Sequence, residues 1–430
     1  ILFGYLILLL CILYVIKIYN YYIFEIAMIE NVSIPPFLGT TPPVSYNMPK
    51  EVDIKSTSDL KICLESHKAF ETTVGQGYRE VAMKCIYELL IDWVNLVGKR
   101  KHIKEEHLVN GGGIQLRVYG SQRLGVHSPA ADIDLLCLAP YFMNREDFFT
   151  DLCGILRNKS KANSSGIGSN GNVHSPHSYT SPYKKEQQVD NELEITGLHL
   201  NNNNFEVSFV TPIPEAYTPV IKFCINGQSI DMIFVSLAEN VCSIPIPPNI
   251  DILDIQYVRG LDDKGVRSIN GCRVTERILQ LVPDVEVFCM ALRAIKLWAR
   301  HRGIYSNVLG FLGGVNYAIL VCFICQRYIN AAPSMIVETF FRFYCQWRWP
   351  HAILLSPIED KSAQIMGITD SQGNAVAGSS GSGSAVASAI ANGAIPTVWN
   401  PKTNPRDGMQ LMPIITPCYP SMNRYECISI

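Results

Sequence analysis

The sequence has almost no net charge. Its 36 Lys and Arg residues are balanced by 38 Asp and Glu residues, which leaves a formal charge of -2 at pH 7. This balance excludes a global positive field around the protein, so any contact with nucleic acid must come from local basic patches. With 48% hydrophobic residues among 430, the chain can bury substantial cores, and its length predicts two domains.

The sequence also lacks the common cysteine and glycine motifs. Its 14 cysteines show neither a disulfide framework nor zinc-ligand spacing, which is typical of a reducing compartment inside the cell. Cys322 and Cys325 lie in an apolar run, which favours buried helix packing over a redox pair. Residues 111–113 are three glycines without the Lys and Ser/Thr of a phosphate-binding P-loop, so they predict a turn that leads into a strand.

Three stretches have a composition unlike that of a packed domain. Residues 1–27 are apolar up to Lys17 and precede the first methionine, Met28; they predict a non-native leader, with a membrane anchor as the alternative. Residues 157–204 are rich in Ser, Asn, Gly, Lys and His, and residues 364–393 are rich in Ala, Gly and Ser. Such segments bury too little apolar surface to order themselves, so we expect an insertion and a flexible loop.

Two acids lie on one short strand. Asp132 and Asp134 alternate with apolar residues, and side chains two residues apart in a strand point to the same face. A divalent cation would relieve their repulsion, and Mg²⁺ is often held by one or two carboxylates together with substrate phosphates. The preceding Gly120-Ser121 pair predicts a tight turn that can approach phosphate oxygens. Taken alone, two such acids also fit a solvated strand end.

A third acid strengthens the metal hypothesis. Asn226-Gly227 separates two β-rich runs, which is the strongest short-range signal for a hairpin. Asp231 then falls inside the second strand, where an unpaired charge is costly. Together with Asp132 and Asp134 it can hold two metal ions, an arrangement that stabilises the attacking and leaving oxygens of an in-line phosphoryl displacement.

Helical periodicity marks two further segments. Pro283-Asp284 predicts a helix start with Asp284 as N-cap, and Gly303 is placed to end that helix. The predicted buried stripe of this helix is Val285, Phe288, Leu292, Ile295 and Ala299. Its predicted basic face is Arg293, Lys296 and Arg300. The basic face is either solvated or the place where a triphosphate is neutralised. An earlier helix over residues 78–97 is predicted to bury Ala82, Ile86, Leu89, Trp93 and Leu96.

Longer motifs accompany these residues. They are, in order, residues 119–127 (YGSQRLGVH), 219–222 (PVIK), 267–275 (RSINGCRVT), 292–299 (LRAIKLWA), 304–315 (IYSNVLGFLGGV) and 411–417 (LMPIITP). Gly120-Ser121, Asp132-x-Asp134 and Asp231 resemble the polymerase-beta-like nucleotidyltransferase superfamily, and the longer motifs resemble its eukaryotic nuclear poly(A) polymerase family. The resemblance runs from about residue 38 to residue 425 and is interrupted by the two low-complexity stretches.

The resemblance implies a fold class and domain limits. The expected protein is α+β, with a polymerase-beta-like, mixed-sheet nucleotidyltransferase domain followed by a mostly helical central domain. We assign residues 28–250 and 251–430 to these domains, with the insertion at 157–204 in the first and the loop at 364–393 in the second. The family's C-terminal RNA-binding domain, RRM-like in fold, is not among these 430 residues, so weak RNA binding is expected.

The resemblance also implies roles for individual residues. Asp132, Asp134 and Asp231 would be the ligands of Mg²⁺ (or Mn²⁺), and Asp231 would also take the proton of the attacking hydroxyl. Nucleotide contacts would come from Tyr119, Gly120, Ser121, Ser128, Asn270, Lys296, Tyr305, Gly314 and Val315. Of these, Lys296 and Tyr305 would hold the triphosphate. RNA would be contacted by Tyr217 and Lys222.

The implied reaction is attack of an RNA 3′-hydroxyl on the α-phosphate of ATP, with pyrophosphate leaving. We expect this reaction to take place in the nucleus, on the 3′ ends of mRNA. The enzyme is expected to be a monomer that works with cleavage and polyadenylation factors. No contact with a membrane is expected unless residues 1–27 are native. Two alternatives stay open. One is a nucleotidyltransferase of other specificity, such as uridylyl or CCA addition; the other is a catalytically silent, membrane-tethered RNA-binding scaffold.

Overall fold

The computed structural model describes residues 37–164, 205–365, 388 and 396–423. The predicted leader and most of the two low-complexity stretches lie outside these residues. In the part of the chain that is described, no helix is both long and apolar enough to span a bilayer. Residues 157–164, which we assigned to the insertion, instead continue the helix Cys153–Ser164, and residues 364 and 365 end the short helix Ser362–Ile365.

Two helices, α1 (Glu51–Ser66) and α2 (Thr73–Arg100), precede the sheet. The predicted helix over 78–97 is therefore confirmed, and Thr72 begins it by accepting a hydrogen bond from the Gly75 N–H (2.9 Å). Of its predicted stripe, the buried members are Ala82, Ile86, Leu89 and Trp93. Leu96 is 57% exposed, contrary to the prediction, because the buried face continues along Leu90 and Val97 instead.

Five strands form one mixed sheet. They are β1 (Gln115–Val118), β2 (Ile133–Ala139), β3 (Val207–Ile213), β4 (Val220–Ile225) and β5 (Gln228–Ser236), in the spatial order β1-β2-β5-β4-β3. β2 and β5 run parallel, and the other neighbours run antiparallel. Asn226 and Gly227 join β4 to β5 with φ of 49° and 78°, so the predicted hairpin is confirmed. Residues 111–113 form the predicted turn before β1, with φ of 62°, 63° and 75°.

A one-turn helix, α3 (Gly120–Arg123), follows β1.

One face of the sheet packs against α2 and a second helical segment. The second segment begins at Arg145–Asp147, passes through the π-helical turn Phe148–Leu152 and ends as α4 (Cys153–Ser164). Trp93, Phe148 and Phe234 form the aromatic centre of this core, with ring centroids 5.1 to 6.2 Å apart.

The other face of the sheet packs against α5 (Asp263–Leu281). Ile269 of α5 lies in one apolar cluster with Leu136 and Ile233 of the sheet. The opposite side of the same helix contributes Val274 and Ile278 to the core of the helical half. α5 therefore contacts both halves of the protein, and the domain limit at residues 250 and 251 stays a prediction.

The helical half consists of α6 (Val285–His301), α7 (Gly314–Arg327), α8 (Pro333–Gln346), α9 (Ser362–Ile365) and α10 (Pro405–Gly408). The predicted start of α6 is confirmed, since Asp284 accepts hydrogen bonds from the N–H groups of its first turn (2.8 and 3.0 Å). Val285, at the exposed end of the helix, is 44% exposed, so its predicted place in the buried stripe is wrong. Cys322 and Cys325 are buried, free thiols in α7, as predicted.

The first helix packs with the helical half rather than with the sheet. Ser334 of α8 shares a hydrogen bond with Thr57 of α1 (2.9 Å between the hydroxyl oxygens) and donates to the carbonyl of Asp53 (2.9 Å). We assigned α1 to the catalytic domain, yet its contacts tie it to α8. The chain thus crosses between the two halves before it enters the sheet.

We expect Trp93→Ala to lower the free energy of unfolding by about 3–5 kcal/mol, because it opens a cavity between α2 and the sheet. Leu96→Ala, on the same helix at a position 57% exposed, is the matched control. The control should change that free energy by no more than about 0.5 kcal/mol. Urea unfolding followed by circular dichroism measures both, and equal losses would contradict this packing.

Candidate active site

Strand pairing sets two of the predicted acids opposite each other. Asp134 on β2 is the register partner of Asp231 on its parallel neighbour β5. Asp132 lies immediately before β2, two residues from Asp134, and so shares its face of the sheet. Lys222 on β4 pairs with Asp231 from the other side. The hairpin turn sets the β4–β5 register, and this is why a lysine lies beside that acid.

The negative charges of the acids are only partly balanced. Burial, followed by the carboxylates of Asp231 and Asp132, raises the pKa of Asp134 to about 7. Burial, followed by Asp231, also raises the pKa of Asp132. Lys222 Nζ donates to Asp231 Oδ2 and forms an ion pair with it. Asp132 and Asp134 therefore carry charge that a cation would stabilise.

The fit of these acids to a metal ion depends on Lys222. Across the described ranges of the chain, no three His, Cys, Asp or Glu side chains are gathered closely enough to hold a metal ion. Asp231 is engaged by Lys222 instead. The donor chemistry itself fits Mg²⁺, since carboxylate oxygens are its preferred protein ligands. The three acids are nevertheless not gathered at one cation site among the described residues, and their joint role as metal ligands stays a prediction.

Gly120 brings the main chain against Asp134. Its φ is 62°, and a Cβ atom at this position would lie 2.3 Å from Asp134 Oδ2. Its N–H donates to Thr275 Oγ1 of α5 (3.3 Å), and that hydroxyl donates to the carbonyl of Gly271 (2.8 Å). Only glycine fits here, and the predicted Gly-Ser turn is the first turn of α3, held by α5.

A cavity of about 380 Å³ opens beside these acids. Its volume falls within the range of small-molecule pockets, about 300–1,000 Å³. The predicted site residues that line it are Gly120, Ser121, Asp132, Asp134, Lys296, Tyr305, Gly314 and Val315. The lining residues that sequence analysis did not single out are Leu124, Val126, Ala130, Ala131, Thr275 and Ile278. The cavity thus joins residues from both halves of the protein.

Lys296 supplies a buried ammonium to the cavity wall. The residue is 6% exposed, and its Nζ donates to the carbonyl of Val126 (3.2 Å). Burial, followed by the nearby cations Arg300 and Arg293, lowers the pKa of Lys296 to about 7. An anion in the cavity would favour the protonated form, so this lysine is suited to bind a phosphate.

Tyr305 lines the cavity and stacks on a second, buried tyrosine. The rings of Tyr305 and Tyr317 are stacked, with centroids 5.7 Å apart and planes within 5° of parallel. The Arg300 guanidinium carbon lies 5.0 Å from the Tyr305 ring centre. A Cβ at Gly314 would lie 2.7 Å from the Tyr305 hydroxyl oxygen. Gly314 is therefore needed for the close packing of this tyrosine against the start of α7.

Three predicted nucleotide contacts do not line the cavity: Tyr119, Asn270 and Ser128, whose carbonyl accepts a hydrogen bond from Arg79. Tyr119 is not part of the cavity lining but packs on α5, where a Cβ at Gly271 would lie 3.0 Å from its ring. Asn270 is 2% exposed on α5, and its Oδ1 has no hydrogen-bond partner among the described residues. Tyr119 and Asn270 support the helix behind the cavity, and the contact of all three residues with a nucleotide stays a prediction.

The two predicted RNA contacts lie on the outer half of the sheet. Tyr217, between β3 and β4, is 63% exposed, and the Arg267 guanidinium carbon lies 4.4 Å from its ring centre. Lys222 is engaged with Asp231. An exposed aromatic ring beside cations is the combination on which single-stranded nucleic acids stack. Lys222 connects this surface to the acids through its ion pair with Asp231.

Arg293 lies on the same face of α6 as Lys296 and Arg300 but does not line the cavity. Its guanidinium donates to the carbonyls of His127 (2.8 Å) and Gly125. Lys296 and Arg300, in contrast, line the cavity. Helical spacing places three residues on one side of a helix but cannot tell which of them meets main-chain carbonyls. His127 itself is buried, and burial followed by Arg79 and Arg293 lowers its pKa to about 4.

Sequence analysis missed Arg79 and Glu71. Arg79 of α2 is 1% exposed, its Nε donates to Glu71 Oε2 (2.7 Å), and its Nη2 donates to the carbonyl of Ser128 (3.3 Å). A signal existed, because Arg79 precedes Ala82 by three residues and Ile86 by seven, which places it on the buried stripe of α2. A charge on such a stripe needs a partner, but only the fold identifies it.

Comparison with known proteins identifies the class first and then the family. A family model described as the poly(A) polymerase nucleotidyltransferase domain matches residues 39–167 and 170–282, which agrees with the sheet and its acids and defines a nucleotidyltransferase. A second model, the poly(A) polymerase central domain, matches residues 287–375 and 385–429. The chain belongs to the poly(A) polymerase family. The predicted fold class is thereby confirmed.

Individual relatives agree with this assignment. The chain is 36% identical over 389 residues to a poly(A) polymerase of Dictyostelium discoideum, which covers 90% of this chain and 38% of that protein. It is 32% identical over 386 residues to the nuclear poly(A) polymerase 1 of Arabidopsis thaliana, covering 90% and 43% respectively. The chain thus spans about two fifths of the length of these relatives. The chain also matches a crystal structure of the Cid1 poly(U) polymerase over 70% of this chain and 77% of that one, with a TM-score of 0.39 and 13% identity.

Asp134→Asn should stabilise the metal-free protein, increasingly so as the pH rises. The folded pKa of this carboxyl, about 7, lies above its ordinary value of 3.8, so its ionisation opposes folding. This cost is absent below about pH 4 and complete above about pH 7. We expect a gain of about 1–4 kcal/mol in the free energy of unfolding at pH 8 and little at pH 4. Urea unfolding with a chelator present measures it, and a gain independent of pH would rule out this cause.

Gly120→Ala should destabilise the fold more than Gly125→Ala. Both glycines have a left-handed φ, 62° and 68°, so each alanine costs about 1–2 kcal/mol in backbone strain. A Cβ at Gly125 would touch only Cys289 Sγ, at 3.6 Å, whereas one at Gly120 overlaps the Asp134 carboxylate. We expect a further loss of about 1–3 kcal/mol for Gly120→Ala, measured by thermal unfolding. Similar losses for the two variants would show that Asp134 moves aside freely.

Proposed function

We propose that the chain is the catalytic part of a polynucleotide adenylyltransferase, which adds AMP from ATP to the 3′-hydroxyl ends of RNA. The observation that carries the proposal is the register of β2 and β5, which sets Asp134 opposite Asp231. Lys296 lines the adjoining cavity, so carboxylates and a phosphate-binding ammonium meet at one site. The names of the relatives support the same activity.

Asp132, Asp134 and Asp231 are the residues that would hold Mg²⁺ or Mn²⁺. Bound there, such cations neutralise charge on the attacking and leaving oxygens of a phosphoryl transfer. The raised pKa of Asp134 supports this role, because a carboxyl destabilised by burial and by two neighbouring carboxylates gains most from a cation. Lys222 would have to release Asp231; its side chain is 41% exposed, and RNA phosphates offer its ammonium other partners.

The triphosphate of ATP would lie against Lys296 and Tyr305, since both line the cavity. An anionic triphosphate beside Lys296 would keep its ammonium protonated despite burial. In the reaction, the RNA 3′-oxygen forms a bond to the α-phosphorus while the bond between that phosphorus and the bridging oxygen of pyrophosphate breaks. Asp231 accepts the proton of the hydroxyl group. Tyr217 and Lys222, on the sheet beyond Asp231, would guide the RNA end towards the cavity.

We assign the activity to the nucleus, as the names of the Arabidopsis relatives suggest, and extend the proposal to the formation of mRNA 3′ ends. Cleavage and polyadenylation factors would direct it to its substrates, and the protein would act as a monomer. The selection of ATP over the other nucleotides belongs to the same proposal, and the names of the relatives support it.

Primer extension tests this proposal. An oligoadenylate primer is incubated with Mg²⁺ and with each of the four nucleotides separately; we expect extension by ATP, none with a chelator, and none by Asp231→Asn, because that variant loses both a metal ligand and the proton acceptor. Asp151→Asn is the matched control, since Asp151 pairs with Arg100 on the surface and should extend normally.

The outcomes separate the alternatives. Preferred extension by UTP or CTP would assign a uridylyl or CCA-adding specificity instead. Absence of extension with every nucleotide, in a wild-type protein that still binds RNA, would indicate a catalytically silent scaffold. Normal extension by Asp231→Asn would remove the metal argument.

A further inference from the structure

Nearly every main-chain carbonyl of the loop between α3 and β2 accepts a hydrogen bond from a side chain. We call residues 124–131 the carbonyl loop; it leads directly into Asp132. Its carbonyls accept hydrogen bonds from side chains of α2 and α6, and the accepting residues are Leu124, Gly125, Val126, His127, Ser128, Pro129 and Ala131. The donors are Cys289, Arg293, Lys296 and Arg79. A loop without regular structure is thereby fixed at nearly every residue.

Arg79 holds the end of this loop that adjoins the acids. Its Nη2 donates to the carbonyls of Ser128 (3.3 Å), Pro129 (3.2 Å) and Ala131 (2.7 Å). Its Nε donates to Glu71 Oε2 (2.7 Å), which fixes the orientation of the guanidinium. One planar group thus serves a carboxylate on one edge and several carbonyls on the other, which the single ammonium of a lysine cannot do.

A gain in folding stability does not by itself explain why Arg79 and Glu71 form a buried ion pair. The side chains of Arg79 and Glu71 are 1% and 8% exposed, and a buried ion pair is often no more stabilising than apolar residues of similar volume. The location of the pair offers a better explanation. The carbonyl of Ala131 accepts the shortest of the three hydrogen bonds from Arg79 Nη2. Ala131 lines the cavity and directly precedes Asp132 in the chain.

We propose that Arg79, oriented by Glu71, is a positioning residue that fixes the 128–131 backbone and so keeps Asp132 within reach of a divalent cation shared with Asp134. The role rests on the proposed function, in which these acids hold the metal. Arg79 itself touches neither substrate nor cation, and it acts only through the main chain of the carbonyl loop.

Metal affinity is the property to measure, because a merely stabilising arginine would not change it in the folded protein. For Arg79→Lys we expect the dissociation constant of Mn²⁺, from titration calorimetry, and the Mg²⁺ concentration at half-maximal extension to rise about 10- to 100-fold.

Arg273→Lys is the matched control. Arg273 is 2% exposed and donates to the carbonyls of Ile252 (2.7 Å) and Asp254 (2.9 Å), far along the chain from the carbonyl loop. It should lower stability and leave Mn²⁺ affinity unchanged. An equal loss of Mn²⁺ affinity in Arg273→Lys and Arg79→Lys would overturn the proposal, as would wild-type affinity in Arg79→Lys.

A second variant covers the case in which Arg79→Lys fails to fold. Glu71→Gln/Arg79→Met removes both buried charges together, so no uncompensated ion remains and folding is retained. We expect the same loss of Mn²⁺ affinity, because the carbonyl loop has lost its donor; wild-type affinity in this variant overturns the proposal. Wild-type protein that binds Mn²⁺ but extends no primer would refute the proposed function while leaving this comparison of affinities valid.

Discussion

The parallel pairing of β2 with β5 places the carboxylates of Asp134 and Asp231 opposite each other, and the rest of the site compensates for their repulsion. A sheet gains nothing in stability from this pair. Burial adds to the cost, as the raised pKa of Asp134 indicates. Lys222 relieves part of it by engaging Asp231. The negative charge that remains on Asp132 and Asp134 makes this end of β2 suited to a divalent cation.

Positive charge around the site is divided between two uses. Arg79 and Arg293 are committed to main-chain carbonyls, and they shape the loop that leads to the acids. Lys296 and Arg300 line the cavity and are the cations placed to meet phosphate groups, and Lys296 also donates to the carbonyl of Val126. A chain with almost no net charge thus still gathers positive charge at one cavity, since these cations are few and their positions are fixed.

α5 couples the sheet to the helical half. Its apolar residues enter both cores, and between them Thr275 accepts a hydrogen bond from the Gly120 N–H while Gly271 leaves room for the ring of Tyr119. The turn beside Asp134 is thus positioned by a helix from later in the chain. The cavity draws its walls from both halves, and the relation of α5 to the sheet therefore sets its width.

Local sequence patterns correctly predicted several secondary-structure elements of this protein. The hairpin at Asn226-Gly227, the cap at Asp284 and the buried stripe of α2 follow from turn geometry and helical period, which act over a few residues, and the same is true of Asp132 and Asp134 sharing one face. Sequence patterns alone misjudged the ends of two buried stripes, at Leu96 and Val285, and did not show that Arg293 binds main-chain carbonyls. Those carbonyls lie 166, 168 and 224 residues away along the chain, and no local pattern encodes such a contact. Only the tertiary structure decided that Arg79 holds the carbonyl loop and that Tyr119 lies on α5, because each depends on which distant residue the fold brings near to a buried charge or ring.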